Sequence, residues 1–152
     1  MIRKATIDDP PAIMKLVNRF AEQGLMLPRA LSEIYENLRD FFLYERDGRV
    51  LGCVALHVAW EGLGEIRSLA VVEEAQGQGI GRQLVEACVN EARQLRIRRL
   101  FALTYVPDFF RTLGFEPYPK EKLPHKIWTD CLKCPKFPNC DEQAVILEVP
   151  KA

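Results

Sequence analysis

Apolar and polar positions divide the chain into short alternating stretches and two longer helical stripes. Ile2 to Ile7 alternates apolar with polar and predicts a first strand. Asp8 or Asp9 can then cap a helix whose first turn tolerates Pro10 and Pro11. Ile13, Leu16, Val17 and Phe20 recur at helical spacing until Gly24 ends the pattern. A second helical segment is expected over about Leu31 to Leu38, with Ser32 available as its cap and Ile34 and Leu38 inward. Phe41 to Glu45 and Val50 to Trp60 read as strands flanking Asp47-Gly48, a hairpin signal. Gly62 and Gly64 mark a turn before a strand from Glu65 to Val72. The helix from about Gly79 to Gln94 lines up Ile80, Leu84, Val85, Cys88, Val89 and Ala92 on one stripe. Arg99 to Thr104 is the next strand, Pro107 opens a short helix that Gly114 ends, and Ala144 to Val149 is the last strand. The order β-α-α-β-β-β-α-β-α-β predicts a mixed α/β fold around one sheet.

Length and charge narrow the classes. At 152 residues the chain reads as one domain, residues 1–152, able to bury about two-thirds of its unfolded surface. Lys+Arg and Asp+Glu stand at 21 each, so no global field favours nucleic acid or an anionic membrane. No apolar run approaches the roughly 20 residues that span a bilayer. Nor does an apolar secretory segment follow Met1-Ile2-Arg3-Lys4. Five cysteines, an odd number, suit a reducing cytoplasm better than a disulfide framework.

The densest chemical signal is Gln76-Gly77-Gln78-Gly79-Ile80-Gly81, between the apolar run Ile66 to Val72 and the long helix. Glycines without β-carbons let a loop turn its N–H groups toward an anion at a helix N-terminus, where the helix dipole already favours phosphate. A P-loop would need a Gly-Lys-Ser/Thr that is absent here. A dinucleotide fingerprint begun at Gly77 would find Arg82 at its third glycine. Gln-x-x-Gly-x-Gly, read at Gln76, Gly79 and Gly81, fits. It resembles the pyrophosphate loop of the GNAT superfamily of N-acetyltransferases, which bind acetyl-CoA.

The resemblance extends over most of the chain. Glu65-Ile66-Arg67-Ser68-Leu69-Ala70-Val71 with the glycine loop is similar to the short bacterial N-acetylglutamate synthases, as are Gly24 to Arg29, Leu100 to Thr104 and Phe109 to Phe115. It implies a GNAT fold, a central, mostly antiparallel sheet flanked by helices. It implies that main chain at Leu69, Ala70 and Val71 pairs with the pantetheine arm, and that Gln76, Gly77, Gln78, Gly79, Ile80, Gly81 and Arg82 cradle the pyrophosphate. Arg29 matches a position that binds a substrate carboxylate, and glutamate is the implied amine acceptor, in the first step of arginine biosynthesis. The rival acceptors are another amino acid, a small amine or a protein N-terminus.

Transfer to an amine needs a group that relays a proton away, and a carboxylate acting through water suffices. Glu65, at the head of the strand leading into the loop, is the candidate catalytic residue. Strand alternation puts it on one face with Arg67, Leu69 and Val71. Guanidinium forks suit carboxylates, so Arg29 and Arg67 are the candidate acceptor residues, with an Arg67–Glu65 pair or a solvated Arg29 as the plainer readings. Many family members carry a tyrosine that protonates the thiolate. The matching residue here is Phe110, and Tyr105 nearby reads as a packing residue, so no general acid is assigned. That gap motivates an alternative of another class, a non-catalytic acyl-CoA sensor.

Residues 117–141 form a proline- and cysteine-rich excursion. Cys131, Cys134 and Cys140, with His125 upstream, offer a Cys₃His zinc set, but a second C-x-x-C half-site is missing. Reduced thiols or a labile disulfide are favoured and no metal ligand is assigned. Cys53 and Cys88 read as small core residues, and His57 as structural or pocket-lining. A homodimer is left open.

Overall fold

In the computed structural model the described residues are 1–124 and 142–151. The elements run β1 (Ile2–Lys4), α1 (Pro10–Ala21), α2 (Leu31–Glu36), β2 (Phe41–Arg46), β3 (Arg49–Trp60), β4 (Leu63–Val71), α3 (Ile80–Gln94), β5 (Arg99–Thr104), α4 (Pro107–Arg111), β6 (Glu116–Tyr118) and β7 (Gln143–Glu148). The seven strands form one sheet in the order β1-β2-β3-β4-β5-β7-β6. The arrangement is the mixed α/β sheet with helices that the resemblance implies. The chain divides into two compact units, Met1–His57 with Ile66–Glu91, and Val58–Glu65 with Ala92–Ala152.

In the first unit, β2 and β3 form the expected hairpin. Asp47 and Gly48 take φ values of 53° and 75°, the left-handed pair that a tight two-residue turn demands. β1 adds antiparallel to β2, with Arg3 opposite Leu43. Ile13, Val17, Ile34, Leu43, Cys53, Val54, Leu84, Val85 and Cys88 are buried here, the inward residues of the helical and strand patterns. Gly52 lets the layers approach. A β-carbon there would lie 3.1 Å from Leu84 Cδ1 and 3.2 Å from the Ala70 carbonyl oxygen.

Three local expectations change. Asp9 stands before α1 but makes no side-chain cap, and Pro10 follows at the first helical position without an N–H. Its carboxylate instead takes a bidentate pair from Arg3 Nη1 and Nη2 at 2.8 and 3.0 Å, and a bond from the Thr6 amide at 2.6 Å. The Arg3 bonds, with Thr6 assisting, hold its pKa down to about 2. Ser32 does not cap α2 either; Ala30 precedes the helix and Ser32 lies in its first turn. α2 stops at Glu36 because Asn37 turns its amide back to the Glu33 carbonyl at 2.8 Å.

In the second unit, β4 and β5 pair in parallel, with Leu63, Gly64 and Glu65 opposite Arg99, Leu100 and Phe101. β7 runs antiparallel to β5, and β6 to β7. β6 was not expected from the sequence. It is three residues long and carries Pro117, so it has neither the alternation nor the amide donors that mark a strand. Ala59, Leu63, Phe101, Leu123 and Ala144 make its core, with Leu103, Tyr118 and Ile146 against them. His125, Cys131, Cys134 and Cys140 lie outside the described residues.

Candidate active site

The glycine loop joins β4 to α3. Val72 is tied to β3 by its amide, which donates to the Leu51 carbonyl at 2.8 Å. A single 3₁₀ turn, Glu73–Ala75, leads into Gln76, whose Nε2 donates back to the Val71 carbonyl at 3.0 Å. The Gln76 side chain thus braces the base of the loop. Gln78 is braced too, its Oε1 accepting from Arg46 Nη1 at 3.1 Å. Gly77 and Gly79 both have φ of +81°, and a β-carbon at either would meet no protein atom within 4 Å. Gly79 accepts the first helical bond of α3, from the Gln83 amide at 3.1 Å. The amides of the first turn, Ile80, Gly81 and Arg82, have no acceptor within the helix by its geometry. A left-handed, open, glycine-lined loop ahead of a helix dipole fits a pyrophosphate.

β4 departs from the regular alternation read from its sequence. Ser68 has φ of +56°, in the left-handed region that a serine enters at a cost of about 1–2 kcal/mol. The burial along Leu63–Val71 does not alternate regularly: Leu63 to Ile66 are all buried, and Arg67, Ser68 and Leu69 are all half-buried. The buried Cys53 supports the irregular turn. Its Sγ donates to the Ser68 carbonyl at 3.3 Å and accepts from the Ala70 amide. Burial pushes this thiol up to about 12, so it stays a protonated donor at neutral pH. Glu65, 9% exposed, is one of three polar residues buried in the described chain, with Asp9 and Thr104.

Arg29 and Arg67, far apart in sequence, line one shallow pocket that opens to solvent. Ser68, Phe41 and Ala55 line it as well. Arg29 sits in the loop before α2 with its side chain 10% exposed, so the plain reading of a solvated arginine does not hold. Asn18 on α1 grips its main chain from both sides. The Arg29 amide donates to Asn18 Oδ1 at 3.1 Å, and Asn18 Nδ2 donates to the Arg29 carbonyl at 3.4 Å.

Sequence reasoning missed the anionic side of this pocket. Glu33 of α2, Asn37 just past its end, and Asp40 just before β2 also line it. Glu33 Oε2 lies 3.5 Å from Arg29 Nη1, one helical turn along. Asp40 Oδ2 is bonded to His57 Nδ1 at 2.7 Å, which gives His57 a pocket-supporting place consistent with its reading from the strand. The Arg29–Glu33 spacing of four residues was the available signal. Nothing local marks Asp40.

In the second unit, Phe110 is buried, its ring edge-on to Phe109 and Phe115 with centroids 5.2 Å away in each case. The position that the family resemblance matches to a tyrosine is thus filled by a packed hydrocarbon ring. Among the described residues no group of histidine, cysteine and carboxylate side chains is placed to hold a metal. No helix among them is long and apolar enough to cross a membrane.

Comparison with known proteins identifies the family. The Acetyltransferase (GNAT) family matches residues 11–115. An N-acetyltransferase of Chlorobaculum tepidum is 41% identical over 145 residues, covering 95% of this chain and 94% of its own length. An amino-acid acetyltransferase of Mycobacterium tuberculosis is 40% identical over 118 residues, 76% of this chain and 67% of that one. Among solved structures, N-acetylglutamate synthase from Neisseria gonorrhoeae, complexed with coenzyme A and N-acetyl-glutamate, superposes with a TM-score of 0.90 at 30% identity. That match takes in 99% of this chain but 35% of the synthase, so the chain spans about a third of that protein. The chain therefore belongs to the GNAT acetyltransferase family, as an N-acetyltransferase that draws its acetyl group from acetyl-CoA.

Proposed function

We propose that the acceptor is the α-amine of L-glutamate, which would make this enzyme an N-acetylglutamate synthase of arginine biosynthesis, acting in the cytoplasm. The observation that carries the reading is the pairing of Arg29 and Arg67 in one pocket, since glutamate brings two carboxylates and each is best met by a guanidinium fork. The names of the relatives support the same class of acceptor.

On this reading the residues divide the work as follows. Bound acetyl-CoA supplies the activated acetyl group. Gln76 to Arg82 hold its pyrophosphate, with Gly77 and Gly79 leaving room for it. Main chain at Leu69, Ala70 and Val71 pairs with the pantetheine arm; the Ala70 amide is held by Cys53 Sγ, so it is the N–H groups beside it that polarise the thioester carbonyl. Arg29 and Arg67 hold the carboxylates of the acceptor, and Glu65 takes the proton from the amine through water. The amine nitrogen then bonds to the acetyl carbon, the thioester C–S bond breaks, and the nitrogen's second proton passes through water to the departing thiolate. A thiolate with a free pKa of about 8.5 leaves without a dedicated acid, so a phenylalanine at position 110 is no obstacle.

The test is thiol release from acetyl-CoA with each of the twenty amino acids. Glutamate should give the highest kcat/KM. A different amino acid ahead of it overturns the glutamate assignment, and no turnover with any of them overturns the amino-acid reading altogether.

A further inference from the structure

The acceptor pocket carries more than a dicarboxylate needs. Two arginines alone would bind an amine-free diacid as readily as an amino acid, because neither arginine attracts an ammonium. The same pocket holds two carboxylates, Glu33 and Asp40. Glu33 is engaged with Arg29 at 3.5 Å, and its side chain is 41% exposed. Asp40 is different. It meets none of the pocket arginines in an ion pair; its partner is His57, and the two side chains are 23% and 32% exposed. The bond from His57 Nδ1 uses Oδ2, and an ionised carboxylate keeps acceptor capacity on its second oxygen.

The backbone places this pair deliberately. Asp40 ends the 3₁₀ turn Leu38–Asp40, held there by its own amide donating to the Asn37 carbonyl at 2.9 Å. It lies one step before the Phe41–Ala55 pair of the β2–β3 ladder, which brings His57 diagonally across to it. Resting on the acceptor reading above, we infer that Asp40 is the residue that selects an amino acid over its amine-free analogue, receiving the acceptor's ammonium, with His57 as the positioning residue behind it.

The charge pattern gives the discrimination both signs. An α-amino acid sets its ammonium beside a carboxylate, which matches an aspartate set beside arginines. A diacid without the amine leaves Asp40 facing substrate carboxylates with nothing between them, and the like-charge contact penalises it. Asp40 makes this contact before chemistry. Glu65 receives the proton afterwards, so losing Asp40 should act on KM far more than on kcat.

The experiment compares wild type, Asp40→Asn, His57→Ala and His57→Asn with the preferred amino acid, and with its amine-free analogue (glutarate for glutamate) as a competitive inhibitor. Asp40→Asn should raise the acceptor KM about tenfold or more with kcat within about threefold, because a neutral amide cannot balance an ammonium. Its Ki for the amine-free acid should stay level or fall. His57→Ala should raise the acceptor KM by about threefold to fivefold, and His57→Asn, which keeps a donor near the Nδ1 position, should restore most of it. An acceptor KM and an inhibitor Ki that rise together in Asp40→Asn would show a disturbed pocket and overturn the inference. So would an unchanged KM. If wild type acetylates no amino acid, the acceptor reading falls and this inference with it; if wild type is active and Asp40→Asn matches it, this inference falls alone.

Discussion

The glycine loop and the proposed acceptor pocket are built in opposite ways. The loop is contiguous, Gln76 to Arg82, and what it offers a ligand is main chain; its side chains at Gln76 and Gln78 face back to brace it. The pocket is dispersed. It draws Arg29 from a loop, Glu33 from α2, Asn37 from the cap behind it, Asp40 from a 3₁₀ turn, Ala55 from β3, and Arg67 and Ser68 from β4. A main-chain site reads the invariant part of a ligand, the phosphates that every acyl-CoA shares. A side-chain site can be retuned one residue at a time, which suits the variable partner of the reaction. The two regions should therefore fail differently under mutation.

The largest effect is expected at Arg29. Its side chain is nearly buried, and truncation to alanine would leave a substrate carboxylate and Glu33 without their cation. Removing one partner of such a charge pair costs about 2–3 kcal/mol, so the glutamate KM should rise by about 30- to 150-fold while the acetyl-CoA KM holds. Steady-state kinetics with each substrate varied in turn checks this. Equal losses in both constants would erase the distinction between the regions.

Gly79→Ala makes the reverse separation. Alanine at φ of +81° costs about 1–2 kcal/mol of backbone strain. Its β-carbon meets no protein atom within 4 Å, so the core should not suffer and the change should be felt by the ligand that enters there. The acetyl-CoA KM should rise about tenfold, with the acceptor KM unchanged, and isothermal titration with coenzyme A should show the same loss. Unaltered coenzyme A affinity would place the pyrophosphate elsewhere.

The same contrast explains what the sequence could tell. Loop, hairpin and helices were legible because their signals are local: Asp47-Gly48 demands a left-handed turn, Gln76 to Gly81 announces itself in six residues, and α3 repeats its apolar stripe. Glu65, Arg29 and Arg67 were named through resemblance and residue chemistry. Asp40 and His57 were not joined, since their meeting depends on the β2–β3 register and on where a 3₁₀ turn ends, neither of which has a composition. The turn at Ser68 escaped for a related reason. Alternation assumes a regular strand, and the left-handed residue that breaks it is a serine rather than a glycine, so no sequence signal flags it. β6 escaped because an edge strand of three residues with a proline carries no pattern.

A subtler substitution tests whether the dispersed pocket depends on the scaffold behind it. Asn18 touches the pocket only through Arg29, gripping that residue's amide and carbonyl from the middle of α1. α1 is anchored in turn by its apolar face, where Ile13, Leu16, Val17 and Phe20 are buried. Asn18→Ala removes two neutral hydrogen bonds, one of them long, and leaves those apolar contacts in place. A net loss of about 1 kcal/mol in positioning Arg29 corresponds to an acceptor KM raised about fivefold. Main chain would be freed while the guanidinium remains, so the defect should be partial where Arg29→Ala is severe. The double variant supplies the decisive number. If Asn18 acts only by holding Arg29, Asn18→Ala adds nothing once Arg29 is alanine, and the two effects are strongly non-additive. Additive effects would mean that Asn18 serves the acceptor by another route. The acetyl-CoA KM should not move in any of these variants, because nothing in the loop rests on α1's grip on Arg29.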